Sequence, residues 1–243
     1  MAINGDALLQ AARGTVFTAP AKTAIPTAGV KQFLLNSGSV KVGTADTPVW
    51  DNLGHTSNSN KISFSKDGGD TNTIDTWLMA AARTSTEAPT ITVSGASVQG
   101  DKATLQKVTG GWTGDNGGVI VPIKPIVQKL ALFVLAYDDG DKLSFGLYLP
   151  ETDFTFDTID LTGDEFAEFS FNAVVKSTDA LKKGPNGEIG GYALYSPEDF
   201  KGSTAIRAAD GGDPPATVEA GKDIRLAGQP STLGGVKLPA PTA

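Results

Sequence analysis

The chain has 243 residues, a formal net charge of -7 and no cysteine, so disulfide scaffolds, thiolate catalysis and iron–sulfur clusters are excluded. His55 is the single histidine, which excludes any metal site with two histidine ligands. An acidic chain lacks the basic surface of an ordinary DNA-binding protein. We also expect no signal peptide and no membrane span, because no apolar run approaches the ~20 residues that a span requires.

The first half of the chain predicts an arm followed by short strands. Residues 1–30 read as an extended N-terminal arm, because Pro20 and Pro26 interrupt any helix. Two short strands are expected over 31–44, and a long polar loop over 45–59. These elements open a β-rich domain that we expect to cover residues 31–200.

Residues 70–83 carry the strongest helical pattern. Ile74, Trp77, Leu78 and Ala81 fall at i, i+3, i+4 and i+7 and form one apolar stripe, which predicts an amphipathic helix with Trp77 in the core. The segment Ala103 to Val108 is predicted as a strand.

Long strands are predicted in the second half. Ile126 to Tyr137 and Leu143 to Leu149 form a hairpin, and Pro150 is expected to end the second strand. Phe166 to Val175 alternates apolar and polar residues. Residues 201–243 are rich in Gly, Pro and Ala and are predicted to form a C-terminal arm.

The charge is unevenly distributed along the chain. Residues 1–130 hold 11 basic and 9 acidic residues, whereas residues 131–243 hold 9 and 18, with the excess concentrated in 138–168. Asp153 and Asp157 share one face of a strand about 13 Å apart, too far for a glycosidase pair without another strand. The stretch is either a solvated strand face or a surface that repels phosphate.

Other candidate sites each have two interpretations. His55 is either a general base or a surface or interface residue, and no nucleophile motif accompanies it. Asp/Gly clusters at 67–70, 138–141 and 210–213 are either calcium ligands or tight turns, and none has EF-hand spacing. Trp50 and Trp112 are either a sugar-binding platform or interface anchors. We expect no metal and no cofactor.

Several local motifs resemble the major tail proteins of long-tailed bacteriophages, especially those of actinobacterial hosts. The residues that carry the resemblance lie within 1–85 and are Gly14 to Phe17, Ala19-Pro20, Thr23, Pro26-Thr27, Trp50 to Ser57, Asn60, Ile62, Phe64, Asp67 to Asp70 and the Trp77 segment.

The resemblance implies a mainly β fold, a two-sheet β-sandwich or barrel flanked by one α-helix. It implies a structural virion protein, with six copies in a ring and rings stacked into a tail tube that delivers DNA without binding it specifically. The loop Ala45 to Ser59 would contact the next ring through Trp50, Leu53 and His55. Asp153, Asp157 and Glu168 would line the lumen.

The implied partners are further copies of the chain and other tail proteins, namely the tape measure, the tail tip and the tail terminator. The implied location is the virion tail, after assembly in the host cytoplasm. Two other classes remain open: a carbohydrate-binding adhesin module, suggested by Trp50, Trp112 and the Asp/Gly turns, and a β-sandwich glycosidase, suggested by the acidic strand. We favour the structural protein and expect no enzymatic activity.

Overall fold

A computed structural model describes residues 8–35, 39–40, 49–138 and 144–201, which all lie in one compact unit, Met1–Ala205. The predicted C-terminal arm, apart from Lys201, lies outside the described residues, as do most of the 138–141 turn, the Asp/Gly cluster at 210–213 and residues 45–48 of the predicted loop.

The protein is mainly β, which confirms the predicted fold class. The described strands are β1 (Arg13–Pro20), β2 (Ser39–Val40), β3 (Trp50–Asn52), β4 (Ser63–Asp67), β5 (Thr71–Thr76), β6 (Met79–Thr86), β7 (Thr90–Ser97), β8 (Trp112–Thr113), β9 (Val119–Ile120), β10 (Gln128–Tyr137), β11 (Ser144–Asp160), β12 (Glu168–Val175) and β13 (Ala193–Tyr195). Helices α1 (Gln32–Leu35) and α2 (Lys102–Thr109) and a 3-10 turn (Pro197–Phe200) complete the described elements.

The main sheet is antiparallel, with strand order β2-β3-β1-β10-β11-β12-β7-β4. The 17-residue strand β11 connects the two parts of this sheet, because its two ends pair with different strands. Residues 146–148 of β11 also pair with β13, whereas residues 152–160 pair with β12. We therefore distinguish a first half-sheet (β2, β3, β1, β10, the start of β11 and β13) from a second half-sheet (the end of β11, β12, β7 and β4).

Strand β10 is buried on both faces. Its successive side chains point to opposite faces and therefore pack into two different apolar clusters. Phe133 contacts a cluster with Phe17, Phe33 and Trp50, on the side covered by α1 and the 3-10 turn. The next cluster lies between the half-sheets and joins Val16, Leu132 and Leu149 to Val93, Phe154 and Phe171. Apolar side chains from both half-sheets thus share one core, which is consistent with a β-sandwich.

The helix predicted over 70–83 is wrong, because this segment forms the hairpin β5–β6. Thr76 pairs with Met79, so Trp77 and Leu78 form the two-residue turn. An apolar stripe stabilises a helix only where it packs on a partner surface, and here every strand residue is exposed. Threonines at opposite positions, such as Thr73 and Thr84, instead favour strand pairing.

The strand predicted at Ala103 to Val108 is also wrong, because these residues lie in α2. Asp101 caps the helix by accepting hydrogen bonds from the N–H groups of Ala103 and Thr104, both at 3.1 Å. Gly110 ends it with a positive φ of 66°. Local capping therefore outweighs the weak strand propensity of the segment.

The structure differs from the sequence-based predictions at three other places. Pro150 does not end its strand, since β11 continues through it and a register irregularity in the β10–β11 ladder falls between Leu130 and Leu132. Proline is tolerated at such bulges because it needs no partner for a missing N–H group. Residues 32–35 are helical rather than extended. Trp50–Asn52, predicted as loop, is strand β3, paired with β1 and β2.

Candidate functional site

One face of the second half-sheet is polar and turned away from the core. Its cross-strand rows follow from the register, because directly opposed residues project to the same side. The rows are Thr155–Asn172–Ser94–Ser63 and Asp153–Val174–Thr92–Ser65. We call these eight residues the polar face. Six of its side chains carry hydroxyl or amide groups, Asp153 carries a carboxylate and Val174 is apolar.

Asp153, a residue predicted for the lumen, lies on the polar face between two lysines. Its carboxylate oxygens are 2.9 Å from Lys129 Nζ and 2.8 Å from Lys176 Nζ. Hydrogen bonds from Lys129 and then Lys176 lower the pKa of Asp153, and the pairing raises the pKa of Lys129. The charge of Glu151 also raises the pKa of Lys129, so two lysines and two carboxylates meet here and this part of the face is close to neutral rather than acidic.

Asp157 is exposed and follows Phe156, where the β11–β12 register shifts. Asp160, Asp164 and Glu165 are exposed in the same turn region. The acidic stretch of the sequence is thus an exposed carboxylate cluster at one end of the second half-sheet.

Glu168 is only 5% exposed, in contrast to these acids. Its carboxylate accepts short hydrogen bonds from the Ser57 hydroxyl and the Asn60 amide. The Ser57 oxygen in turn accepts the N–H groups of Ser59 and Asn60, at 3.1 and 2.9 Å. Glu168 therefore anchors the segment 57–60 to the start of β12.

The three residues predicted for contacts between rings have different environments. Trp50 is 0% exposed and donates from Nε1 to the Ala24 carbonyl at 3.1 Å. Leu53 is 1% exposed and packs in the core between the half-sheets. His55 is exposed, although its backbone carbonyl accepts the Val98 N–H at 2.9 Å.

Burial of Trp50 also bears on the sugar-platform interpretation. Trp112 is 50% exposed whereas Trp50 is 0% exposed, so these two side chains do not form a shared aromatic platform. Within the described ranges, no group of three or more His, Asp or Glu side chains is arranged to hold a metal ion. None of the described helices is long and apolar enough to cross a membrane.

The hairpin β5–β6 projects into solvent, a feature that the sequence-based helix prediction missed. Trp77 and Leu78 at its turn are 106% and 100% exposed, and Met79 is 63% exposed. We call residues Thr71–Thr86 the projecting hairpin. The signal that would have identified it is the run of threonines on either side of the turn.

A second exposed apolar surface follows α2. Ile123 is 104% exposed, and Ile126 and Val127 are 42% and 53% exposed. We call residues 119–127 together with Trp112 the apolar strip. Sequence reasoning overlooked it, although two prolines within an aliphatic run already argue against a buried central strand.

An antiparallel sandwich with large solvent-exposed apolar elements and no assembled catalytic group in its described part has the character of an assembly subunit. A family model described as phage tail tube protein matches residues 1–183. No curated protein matches the chain. The chain belongs to the phage tail tube protein family.

Family membership establishes a structural role. The protein is a structural component of the phage virion and not an enzyme. It belongs to the tail, where it assembles with itself and with other tail proteins.

Proposed function

We propose that this protein forms hexameric rings that stack into the tail tube, and that DNA passes through the tube on its way to the host. The observation that carries the proposal is the two-sided second half-sheet. One face holds core residues such as Phe154 and Phe171, and the other is the polar face. A sheet of this kind suits a wall between protein and a water-filled channel.

The polar face is proposed to line the channel. Hydroxyl and amide groups are well hydrated and carry no positive charge. Their affinity for DNA phosphates is therefore weak, and DNA does not bind tightly to this face. Asp153 keeps Lys129 and Lys176 paired on this face. Asp157 supplies exposed negative charge, which repels phosphate, whereas the buried Glu168 supports the wall from within the protomer.

Ring closure is proposed to use the sheet edges. Among the described strands, β4 pairs only with β7, so its outer edge presents backbone groups that a neighbouring copy can pair with. Contact with the next ring is proposed for the Ala45 to Ser59 segment, in which His55 is an exposed side chain. Trp50 and Leu53 fix the base of that segment in the core.

The remaining parts of the proposal concern partners and place of assembly. We propose that the tube is built in the host cytoplasm on the tail tip, around the tape measure, and is closed by the tail terminator. Each of these proteins meets only an end or the lumen of the tube, whereas contacts between copies repeat along its whole length.

Electron microscopy of the purified protein tests the proposal. We expect rings or tubes with sixfold symmetry and a central hole of a few nanometres, formed by the protein alone or after addition of tail tips. A species that stays monomeric at high concentration in both conditions would contradict it. The matched control is the same preparation in denaturant, diluted and refolded, which should recover the assemblies.

A further inference from the structure

The projecting hairpin buries none of its strand side chains against the part of the protomer that the structure describes. A two-stranded hairpin alone is marginally stable in water, and Trp77 and Leu78 at its turn are fully exposed. Such an element acquires stabilising contacts from beyond the described residues of its own protomer. Large apolar side chains at the centre of an exposed projection are also the usual anchors of protein interfaces.

The hairpin starts from the edge of the second half-sheet. Asp67 pairs with Thr90 at the end of the β4–β7 ladder, and the chain enters the hairpin through Gly68 and Gly69. Both glycines have positive φ, 74° and 87°, a conformation that other residues rarely adopt. The hairpin therefore extends the edge at which β4 ends the described strand order.

The apolar strip offers a complementary surface. A cleft of about 340 Å³ begins where the strip ends; it is lined in part by Leu53, Leu130 and Phe154 and by no residue of the strip itself. Gln128, directly after the strip, also lines this cleft. An exposed indole side chain can enter a cleft of this size, and the aliphatic side chains of the strip can cover the rest of the hairpin turn.

The charges that flank the two surfaces are opposite in sign. The hairpin itself has one acidic and one basic residue, but together with its flanks, residues 67–90 contain four acidic residues and one basic residue. Residues 102–129, which include the strip and its flanks, contain four lysines and one aspartate, and two of these lysines, Lys107 and Lys129, already pair with carboxylates of the same protomer. Opposite charge around apolar contacts favours association and fixes the register of the partners. Two copies of the same chain thus carry both halves of the interface.

We propose that the projecting hairpin of one copy docks on the apolar strip of a second copy, with Trp77 in the cleft. The inference rests on the proposed rings and tube and adds a surface through which their copies make contact. It assigns roles to two elements that the proposed channel and loop contacts leave unused.

Disulfide trapping provides the first test, because the chain has no cysteine of its own. One preparation carries Leu78→Cys and a second carries Ile123→Cys, and the two are mixed, assembled and oxidised. We expect a cross-linked heterodimer of the two chains. Ile189→Cys replaces the second variant in the control, since Ile189 is 61% exposed and lies outside the strip. Equal cross-linking of both pairs overturns the inference.

Assembly assays provide the second test. Trp77→Ala with Leu78→Ala should raise the protein concentration needed for assembly at least tenfold, while Ile189→Ala leaves it unchanged. Glu87→Lys should weaken assembly, and Lys124→Glu in the same chain should restore part of it. Normal assembly of the Trp77/Leu78 variant overturns the proposed docking between copies. The same conclusion follows if this variant forms normal tubes that fail to join another tail protein, because the hairpin would then bind that protein.

The wild-type protein separates the two proposals. If it forms no rings or tubes, the proposed function fails and the inference fails with it. If it forms tubes while the cross-link is absent and the hairpin variant assembles normally, the docking inference alone is wrong.

Discussion

Trp50 and Trp112 show how one residue type serves two purposes in this protein. Trp50 has Phe33 and Tyr148 as edge-on ring neighbours, with centroids 5.4 and 6.1 Å away, and its indole N–H has a carbonyl partner. Trp112 is half exposed. The sequence places both in polar surroundings, so it does not distinguish them. The difference arises from contacts with α1 and β11, which are distant in the chain.

Replacing Trp50 should therefore destabilise the protomer strongly. Trp50→Ala removes a fully buried side chain and leaves a cavity, which costs about 3–5 kcal/mol of unfolding free energy. Trp112→Ala is the matched control and should change stability by about 0.5 kcal/mol or less. Urea unfolding followed by circular dichroism measures both. Similar losses for the two variants would contradict the assignment of Trp50 to the core.

Glu168 gives a second prediction at this scale. Glu168→Ala removes the acceptor of the Ser57 and Asn60 side chains and should cost about 1–3 kcal/mol. Amide hydrogen exchange at Ser59 and Asn60 should accelerate in the same variant, because their N–H groups depend on a fixed Ser57. Asp164→Ala, at an exposed position, should leave both measurements unchanged. Unaltered exchange in Glu168→Ala would show that the anchor is dispensable.

At the scale of elements, alternation predicted the strands that have a buried face, and periodicity failed where no face is buried. Long apolar or alternating runs located β10 and β12 within two residues at each end. The stripe of Ile74, Trp77 and Leu78 resembled that of a helix, yet the described residues of the protomer provide no surface for it to pack against. Helix α2 is short, and its caps, Asp101 and Gly110, carry more information than its composition.

The α2 cap has a pH dependence of definite sign. The hydroxyl of Thr104, then the amide of Gln99, lowers the pKa of Asp101 to about 2. A pKa below the unfolded value of 3.8 means that the ionised cap stabilises the fold above about pH 4 and loses this contribution as the pH falls towards 2.

Two variants check this cap. Asp101→Ala should cost about 0.5–2 kcal/mol at pH 7, whereas Asp101→Asn should cost less because it retains a capping oxygen. The stability gap between the wild type and Asp101→Asn should narrow between pH 4 and pH 2 in urea unfolding. A gap that is constant over this range would show that ionisation of Asp101 does not contribute.

At the scale of the whole molecule, the charge pattern of the sequence located the exposed acidic residues, but it did not show that Asp153 is paired with lysines. Lys129, Asp153 and Lys176 meet only because three strands are in register. A net charge summed along the chain therefore overstates the negative charge of the polar face. The proposed channel wall is closer to neutral than the acidic sequence indicates.

Removing Asp153 should consequently create affinity for DNA. Asp153→Asn leaves two lysines unpaired on the polar face, whereas Asp157→Asn changes the net charge equally without releasing a lysine from any ion pair within the described residues. We expect Asp153→Asn to bind DNA more tightly at low salt, with binding lost as salt rises. Filter binding at several salt concentrations measures the difference. Equal affinity of the two variants would contradict the pairing.

Strand β11 also has a mechanical consequence. Its 17 residues extend over about 56 Å and carry ladder bonds in both half-sheets. A load applied to either half is transmitted along this backbone to the other, so the protomer responds as one stiff body. When a tail bends, the deformation must then occur at the interfaces between copies, where contacts made by loops and hairpins can shift and form again.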